Sequence, residues 1–98
     1  MKSHNYFVYI ITNPSKTVLY VGVTNNLVVR LEQHKENRGK PETFAGRYYC
    51  YNLLYYERYT YVEHAIDREK ELKLLGREQK MELIKIENPY LQFLKVDD

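Results

Sequence analysis

The first part of the chain contains two short runs of apolar and aromatic residues, at positions 6–12 and 17–23. Valine, isoleucine, tyrosine and phenylalanine in runs of this length are typical of β-strands. The residues between the runs, 13–16, have the sequence Asn-Pro-Ser-Lys, a composition typical of turns. The pattern therefore predicts an antiparallel hairpin with a loop of about four residues.

The alternation of side chains along the first strand assigns its residues to two faces of the sheet. Phe7, Tyr9 and Ile11 share one face, and Val8 and Ile10 share the other. All five are apolar or aromatic, so neither face is expected to be exposed to solvent. We therefore predict that other parts of the chain pack against both faces of the sheet.

Residues 26–37 carry apolar residues at helical spacing. Leu27, Leu31 and His34 form one stripe, and Arg30 lies beside it. Either of the two asparagines at the start of this segment can cap the helix, because an asparagine side chain accepts a hydrogen bond from a free amide of the first turn. The prediction is a helix that keeps Arg30 and His34 close to the hairpin.

A loop is predicted over residues 37–47, which contain two glycines and a proline. Its three basic residues, Arg38, Lys40 and Arg47, suit an exposed segment that contacts phosphate groups. A solvated connector explains each of these residues equally well when it is considered alone.

Aromatic residues dominate positions 48–59, where glycine and proline are absent, so this segment is predicted as a third strand. A second helix is predicted over 61–75. Thr60 and Glu63 have the spacing of a capping box, in which each side chain accepts from a backbone amide at the start of the helix.

The apolar positions of the second helix are Val62, Ala65, Ile66, Leu72 and Leu75. Helical spacing places Glu69 in the middle of this inward stripe, whereas Asp67 and Glu71 fall outside it. An unpaired carboxylate is costly to bury, so such a side chain is usually paired or bound to a metal. Glu69 is therefore expected either in a salt bridge with a neighbouring lysine or arginine, or as a metal ligand, with Asp67 and Glu71 as substitutes.

A third helix is predicted over about 78–86, with Met81 and Ile84 facing inward and Asn88, followed by proline, ending it. The apolar residues of the tail, 90–94, are expected to dock on the domain. The predicted order is strand, strand, helix, strand, helix, helix. A three-stranded antiparallel sheet flanked by helices is an α+β fold, a small α/β sandwich.

Ninety-eight residues suffice for one domain with one modest core, so residues 1–98 are assigned to a single domain. No apolar run approaches the ~18–20 residues that span a bilayer. Residues 1–5 lead directly into the first strand, without the features of a signal peptide. The single cysteine, Cys50, excludes an internal disulfide and predicts a cytoplasmic protein in a reducing compartment.

The formal net charge of +2 is far from the strongly basic balance of a histone-like DNA-binding protein. Binding to nucleic acid therefore requires local clusters of cations. Two candidate clusters are Arg30, Lys35, Arg38, Lys40 and Arg47, and Arg68, Lys70, Lys73, Arg77 and Lys80. Acidic neighbours dilute both, so a solvated surface remains an alternative for each cluster. The three histidines and one cysteine show no zinc-binding spacing.

Two tripeptides on the predicted hairpin, Phe-Val-Tyr at 7–9 and Tyr-Val-Gly at 20–22, place two tyrosines eleven positions apart. Arg30 follows the second tyrosine by ten residues, His34 follows four residues later, and Glu69 lies on a later helix. In this order and at these spacings the residues resemble the GIY-YIG nuclease domain. The chain is most similar to the small stand-alone members, which are related in their core to the N-terminal nuclease domain of the excision-repair endonuclease.

The resemblance spans about residues 5–90 and implies the same fold and a metal-dependent DNA endonuclease. It implies that Glu69 binds the divalent metal, Mg²⁺ or Mn²⁺, since a hard cation suits an oxygen ligand with open water positions. It also implies that Arg30 clamps the scissile phosphate with its planar guanidinium. His34 would orient water or phosphate, or transfer a proton. A surface arginine and a structural histidine are the simpler alternatives for these two residues.

Tyr9 and Tyr20 would by default be core aromatics of the hairpin, but the resemblance implies that both hydroxyls point into the cleft. One phenol acts as general base toward the attacking water, although its ordinary pKa near ~10 requires assistance from a cation or bound metal. The sequence does not decide between them, and our working assignment is Tyr9 as the base and Tyr20 as a positioning hydroxyl. Two positions depart from the family pattern: Phe7 replaces a glycine, and Val23 replaces a lysine that several relatives use to activate the tyrosine.

The leading hypothesis is a DNA endonuclease with low sequence specificity, acting for example in DNA repair or recombination. Such an enzyme would either use a targeting protein or have low activity alone. Its assigned nucleic-acid contacts are Arg38, Lys40, Arg47, Lys73 and Asn88. The alternatives are a non-catalytic nucleic-acid-binding module with the same fold and, third, a protein-interaction domain. A monomer or weak dimer without membrane association is expected.

Overall fold

A computed structural model describes residues 4–97. The signal-peptide prediction concerned residues 1–5, of which 1–3 lie outside the described residues. The strands are β1, Tyr6–Thr12; β2, Leu19–Thr24; and β3, Asn52–Tyr59. The helices are α1, Leu27–Glu36; α2, Phe44–Arg47; α3, Val62–Leu74; and α4, Arg77–Glu87. Within residues 4–97, no helix has both the length and the apolar character needed to cross a membrane.

β1 is the central strand of the sheet and pairs antiparallel with β2 on one side and β3 on the other. The register between β1 and β2 places Tyr9 opposite Gly22 and Ile11 opposite Tyr20. The predicted hairpin and the three-stranded antiparallel sheet flanked by helices are thus confirmed, and the fold is α+β. This register also brings the tyrosines of the two tripeptides to neighbouring positions on adjacent strands.

Both faces of the sheet are covered, as the alternation of apolar residues predicted. On one face, α3 and α4 contribute to a core that includes Val8, Ile10, Ala65, Leu72 and Ile84. On the other face, α1 and α2 contribute to a second core that includes Tyr9, Ile11, Leu27, Ala45 and Cys50. The hairpin tyrosine Tyr9 therefore belongs to the α1 side, while α3, which carries Glu69, packs on the opposite side.

The segment between α1 and β3 differs from the prediction. Residues 37–47 are not all loop, because the hydroxyl of Thr43 accepts from the Gly46 amide at 3.0 Å and caps the single helical turn α2. The third strand begins at Asn52 rather than at position 48. Tyr49 has a left-handed backbone, φ +58°, which a strand does not accommodate. The element order therefore gains one short helix before β3.

The predicted caps have different outcomes at α1 and α3. The side chain of Asn26 accepts from the amide of Val29 at 3.1 Å, which confirms an asparagine cap for α1. The capping box at Thr60 is wrong, because α3 begins at Val62 and its cap residue, Tyr61, makes no side-chain hydrogen bond.

The inward face of α3 is narrower than predicted. Ala65 and Leu72 are fully buried, but Val62 and Ile66 are 39% and 37% exposed. The stripe that faces the sheet therefore runs through Ala65, Glu69 and Leu72 rather than through Ile66. This rotation keeps Glu69 on the edge of the packed face.

The C-terminal part of the chain follows the prediction more closely. Ile84 is fully buried, and Met81 packs against the same core. In the tail, Leu91 packs against the first core and Leu94 against the second. The amide of Leu94 also donates to the carbonyl of Leu53 in β3 at 2.8 Å, so the tail is held against the sheet.

Candidate active site

The hydroxyl of Tyr9 is the point where α1 meets the sheet. It lies 2.8 Å from Nε2 of His34, and Nε of Arg30 donates to it at 3.4 Å. Arg30 and His34 are one helical turn apart on α1, so their side chains extend from the same face and reach the same oxygen. The prediction that the helix holds both residues close to the hairpin is confirmed.

Tyr9 takes this position because Gly22, opposite it on β2, has no side chain. A Cβ on Gly22 would lie 2.5 Å from Cζ and 2.9 Å from Cε1 of Tyr9, well inside van der Waals contact. The ring therefore lies across β2, which is an edge strand, and its hydroxyl is directed toward the margin of the sheet. The glycine of the Tyr-Val-Gly tripeptide is thus needed for close approach of the other strand's tyrosine.

Tyr20 packs against the same imidazole from a more open position. Its ring centroid lies 5.7 Å from that of His34, the same separation as between Tyr9 and His34, and both pairs meet edge to face. Tyr9 has no exposed surface, whereas Tyr20 is partly exposed. Of the two phenols, Tyr20 is therefore the one that solvent reaches.

Burial and the neighbouring cation keep this cluster uncharged at its centre. Burial, followed by the charge of Arg30, lowers the pKa of His34 to about 4. Burial raises the pKa of Tyr9 to about 12, although its hydrogen bond with Arg30 acts in the opposite direction. Near neutral pH the Tyr9 hydroxyl therefore accepts from Arg30 and donates to Nε2 of a neutral His34.

Glu69 approaches this cluster from α3. Its charge contributes to the raised pKa of Tyr9, so the carboxylate lies within electrostatic range of the phenol. The side chain of Glu69 is 17% exposed, and Nζ of Lys73 lies 3.3 Å from its Oε2. The predicted salt bridge to a neighbouring lysine is present, and the same carboxylate faces the four residues gathered around the hairpin.

A divalent cation fits Glu69 only in one coordination mode. Among residues 4–97, no group of three or more His, Cys, Asp or Glu side chains is arranged to hold a metal ion. Mg²⁺ commonly uses one or two protein carboxylates, keeps several waters and takes further ligands from substrate phosphates. Glu69 suits that mode. Asp67 and Glu71, the substitutes considered from sequence, are both exposed.

Arg68, next to Glu69 on α3, holds the helix against β3. It donates from Nε and Nη2 to the carboxylate of Glu57 at 2.9 and 3.0 Å. Glu57 also accepts from the hydroxyls of Tyr55 and Tyr59. Burial alone would raise the pKa of Glu57, but these hydrogen bonds, above all that from Arg68, keep it below its ordinary value. This network was not predicted from the sequence, and it fixes α3 and therefore the position of Glu69.

Three of the predicted nucleic-acid contacts lie together on the surface around α2. Arg38, Lys40 and Arg47 are all exposed, and none forms a salt bridge within residues 4–97. Arg47 donates to the carbonyl of Pro41 at 3.0 Å, which orients its guanidinium along the segment. Lys73, the fourth predicted contact, is paired with Glu69 instead.

The fifth predicted contact, Asn88, needs correction. It is only 7% exposed, and its side-chain amide donates to the carbonyls of Leu54 and Gln92 at 3.0 and 2.9 Å. Its Oδ1 accepts from the Gln92 amide at 3.0 Å. All of these bonds hold the tail against β3. Asn88 therefore has a structural role and no surface on which to bind nucleic acid.

Comparison with known proteins agrees with this geometry. Residues 5–82 match the family model of the GIY-YIG catalytic domain. UPF0213 proteins from Staphylococcus aureus strains N315 and MW2 are each 36% identical over 85 residues, which cover 87% of this chain and 98% of theirs. The solution NMR structure of a UPF0213 protein from Bacillus halodurans matches with a TM-score of 0.55 and 27% identity over 88% of both chains. This chain therefore belongs to the GIY-YIG family and is similar to the UPF0213 proteins within it.

Proposed function

We propose that this protein is a divalent-metal-dependent endonuclease that hydrolyses DNA phosphodiester bonds with little sequence specificity. The observation that carries the proposal is the convergence on one hydroxyl: Arg30 and His34 both hydrogen-bond to Tyr9. Tyr20 packs against the same imidazole, and Glu69 lies within electrostatic range. Membership of a family whose domain is a nuclease domain supports the same conclusion.

Arg30 is the residue proposed to bind the scissile phosphate. Its Nε is held by Tyr9, and its Nη1 donates to Oε1 of Gln33 at 3.2 Å. The guanidinium is thus oriented before substrate binds, yet it remains partly exposed. A fixed, planar cation of this kind stabilises the negative charge that develops on the phosphate in the transition state.

Tyr20 is better suited than Tyr9 to take the proton of the attacking water, which reverses our working assignment. Tyr9 is fully buried, has a pKa of about 12 and is already bonded to two side chains. Tyr20 is partly exposed and lies within electrostatic range of Arg30, whose charge stabilises a phenolate. We therefore assign Tyr20 as the base and Tyr9 as the hydroxyl that orients Arg30 and His34.

Glu69 is the residue proposed to hold the divalent cation, Mg²⁺ or Mn²⁺. When bound there, the cation supplies Lewis-acid stabilisation of phosphate charge and of the departing 3′ oxygen. The ammonium group that now pairs with Glu69 belongs to Lys73, whose side chain is 51% exposed and free to move toward a DNA phosphate. A cytoplasmic location, a role in DNA repair or recombination and a targeting partner stay predictions.

A cleavage assay tests the proposal. Purified protein is incubated with labelled single-stranded, duplex and branched DNA, each with Mg²⁺, Mn²⁺ or a chelator. Metal-dependent products that are lost in both Arg30→Ala and Glu69→Ala support the endonuclease. DNA binding without products, unchanged by either substitution, would instead indicate a non-catalytic nucleic-acid-binding module.

A further inference from the structure

A row of aromatic rings leads from Tyr20 to the protein surface. The ring of Phe44 is stacked on that of Tyr20, with centroids 6.1 Å apart and planes inclined by 23°. The ring of Tyr48 follows, 4.8 Å from that of Phe44. Phe44 and Tyr48 are 50% and 43% exposed, a large apolar area to leave in contact with water. We call Tyr20, Phe44 and Tyr48 the aromatic row.

The backbone that carries the aromatic row is held rigidly. Ala45, next to Phe44 in α2, is buried in the second core, so its neighbours are turned outward. The amide of Gly39 donates to the carbonyl of Gly46 at 2.7 Å, and Thr43 caps the turn. A Cβ on Gly46 would lie 2.5 Å from the carbonyl oxygen of Lys40, so this close packing requires glycine. The rings are thus presented in a fixed arrangement rather than on a flexible loop.

Positive charge surrounds the aromatic row. Residues 37–47 carry three cations, Arg38, Lys40 and Arg47, and a single acid, Glu42. This excess accounts for the whole net charge of +2 of the chain. Aromatic rings beside a basic surface form the arrangement by which proteins bind single-stranded nucleic acid, since bases stack on the rings and phosphates follow the cations.

On the basis of the proposed endonuclease function, we propose that the aromatic row stacks unpaired bases of the DNA strand bound by Arg30. The substrate then carries unpaired nucleotides beside the cleaved bond. In a duplex the faces of the bases are covered by their neighbours, so only an unpaired base can stack on a protein ring. Because the row begins at Tyr20, a base on Phe44 belongs to a nucleotide close to the scissile phosphate.

Fluorescence tests this stacking without requiring cleavage. The chain contains no tryptophan, so Phe44→Trp introduces a single reporter into the aromatic row. With a chelator present, a short single-stranded DNA is expected to quench this fluorescence, and a blunt-ended duplex of the same sequence is expected to leave it unchanged. Equal quenching by both DNAs, or quenching by neither, would overturn the proposal.

Binding measurements identify the residues responsible. Phe44→Ala and Tyr48→Ala are each expected to weaken binding of single-stranded DNA on the order of tenfold, the effect of one lost stacking contact. Phe44→Tyr should retain binding, because it keeps the ring. Tyr90→Ala is the matched control, since Tyr90 is an aromatic residue that is 82% exposed and lies outside the row.

Cleavage measurements separate this inference from the function on which it rests. Faster cutting of single-stranded than of duplex DNA, with the preference lost in Phe44→Ala, supports the aromatic row. Metal-dependent cleavage that Phe44→Ala leaves unchanged on every substrate would overturn the row but not the endonuclease. Quenching by single strands without any cleavage would overturn the endonuclease but not the row. Preferential binding of RNA of the same sequence would overturn the assignment to DNA.

Discussion

The hydroxyl of Tyr9 and Nε2 of His34 lie 2.8 Å apart and join the central strand to α1 within the second core. Each atom is the partner that the other needs in a buried position, and no buried side-chain nitrogen or oxygen among residues 4–97 is left without one. The same bond therefore contributes to folding and to the candidate site. Removing either group is expected to affect both.

Tyr9→Phe removes the hydroxyl and keeps the ring. Nε2 of His34 then loses its partner in a buried position, so the free energy of unfolding is expected to fall by about 1–3 kcal/mol. Cleavage should fall as well, because Arg30 loses the acceptor that orients it. Urea unfolding and the cleavage assay measure the two effects. Tyr56→Phe is the control, since Tyr56 pairs with Tyr9 across the sheet but is 39% exposed, and equal effects of the two substitutions would contradict this account.

The pKa of His34 predicts how stability depends on pH. It lies at about 4 in the folded protein and at 6.5 in the unfolded chain, so the unfolded chain binds more protons between these values. The free energy of unfolding should therefore decrease as pH falls from about 6.5 to 4. His34→Gln should reduce this pH dependence, and His64→Gln, at an exposed position, should leave it intact. An unchanged pH dependence in His34→Gln would show that His34 is not its source.

Gly22→Ala tests the close approach of the two hairpin strands. The added methyl group would overlap the ring of Tyr9, whose displacement should break the bond to His34. Overpacking of this kind destabilises by about 1–3 kcal/mol, and the cleavage rate should fall with it. Gly76→Ala provides the comparison, because a Cβ there meets nothing closer than 3.9 Å. A fully active Gly22→Ala variant would mean that the ring does not need its present position.

Arg68→Ala tests whether the network on β3 positions Glu69. The substitution leaves the partly buried carboxylate of Glu57 without its cation, at an expected loss of about 1–3 kcal/mol in the free energy of unfolding. A released α3 should also raise the metal concentration needed for half-maximal cleavage. Lys70→Ala, which removes an exposed cation from the same helix, controls for charge. Loss of stability with an unchanged metal requirement would limit Arg68 to a structural role.

Local patterns in the sequence were enough to predict the elements that carry the site. Alternation over β1 identified both covered faces, and helical spacing placed Arg30 and His34 on one side of α1. These features depend on residues close together along the chain. Helical spacing also brought Glu69 inward, although it overestimated the burial of Ile66 on the neighbouring stripe.

The missed features depend on contacts between distant residues. Nothing near Gly22 in the sequence indicates that the ring of Tyr9 lies over it. The turn α2 combines two residues with low helix propensity and forms because Ala45 is anchored in the core. The network around Glu57 had a visible signal, since Tyr55, Glu57 and Tyr59 alternate along one face of a strand.

The metal requirement at Glu69 is the most direct test of the proposed chemistry. Glu69→Gln and Glu71→Gln remove one carboxylate each from the same helix, but only Glu69 lies within electrostatic range of Tyr9 among the causes of its raised pKa. The measurement is the rate of DNA cleavage across a titration of Mg²⁺. We predict that Glu69→Gln abolishes cleavage at every Mg²⁺ concentration while Glu71→Gln cleaves as the unmodified protein does. Undiminished, Mg²⁺-dependent cleavage by Glu69→Gln would contradict the account.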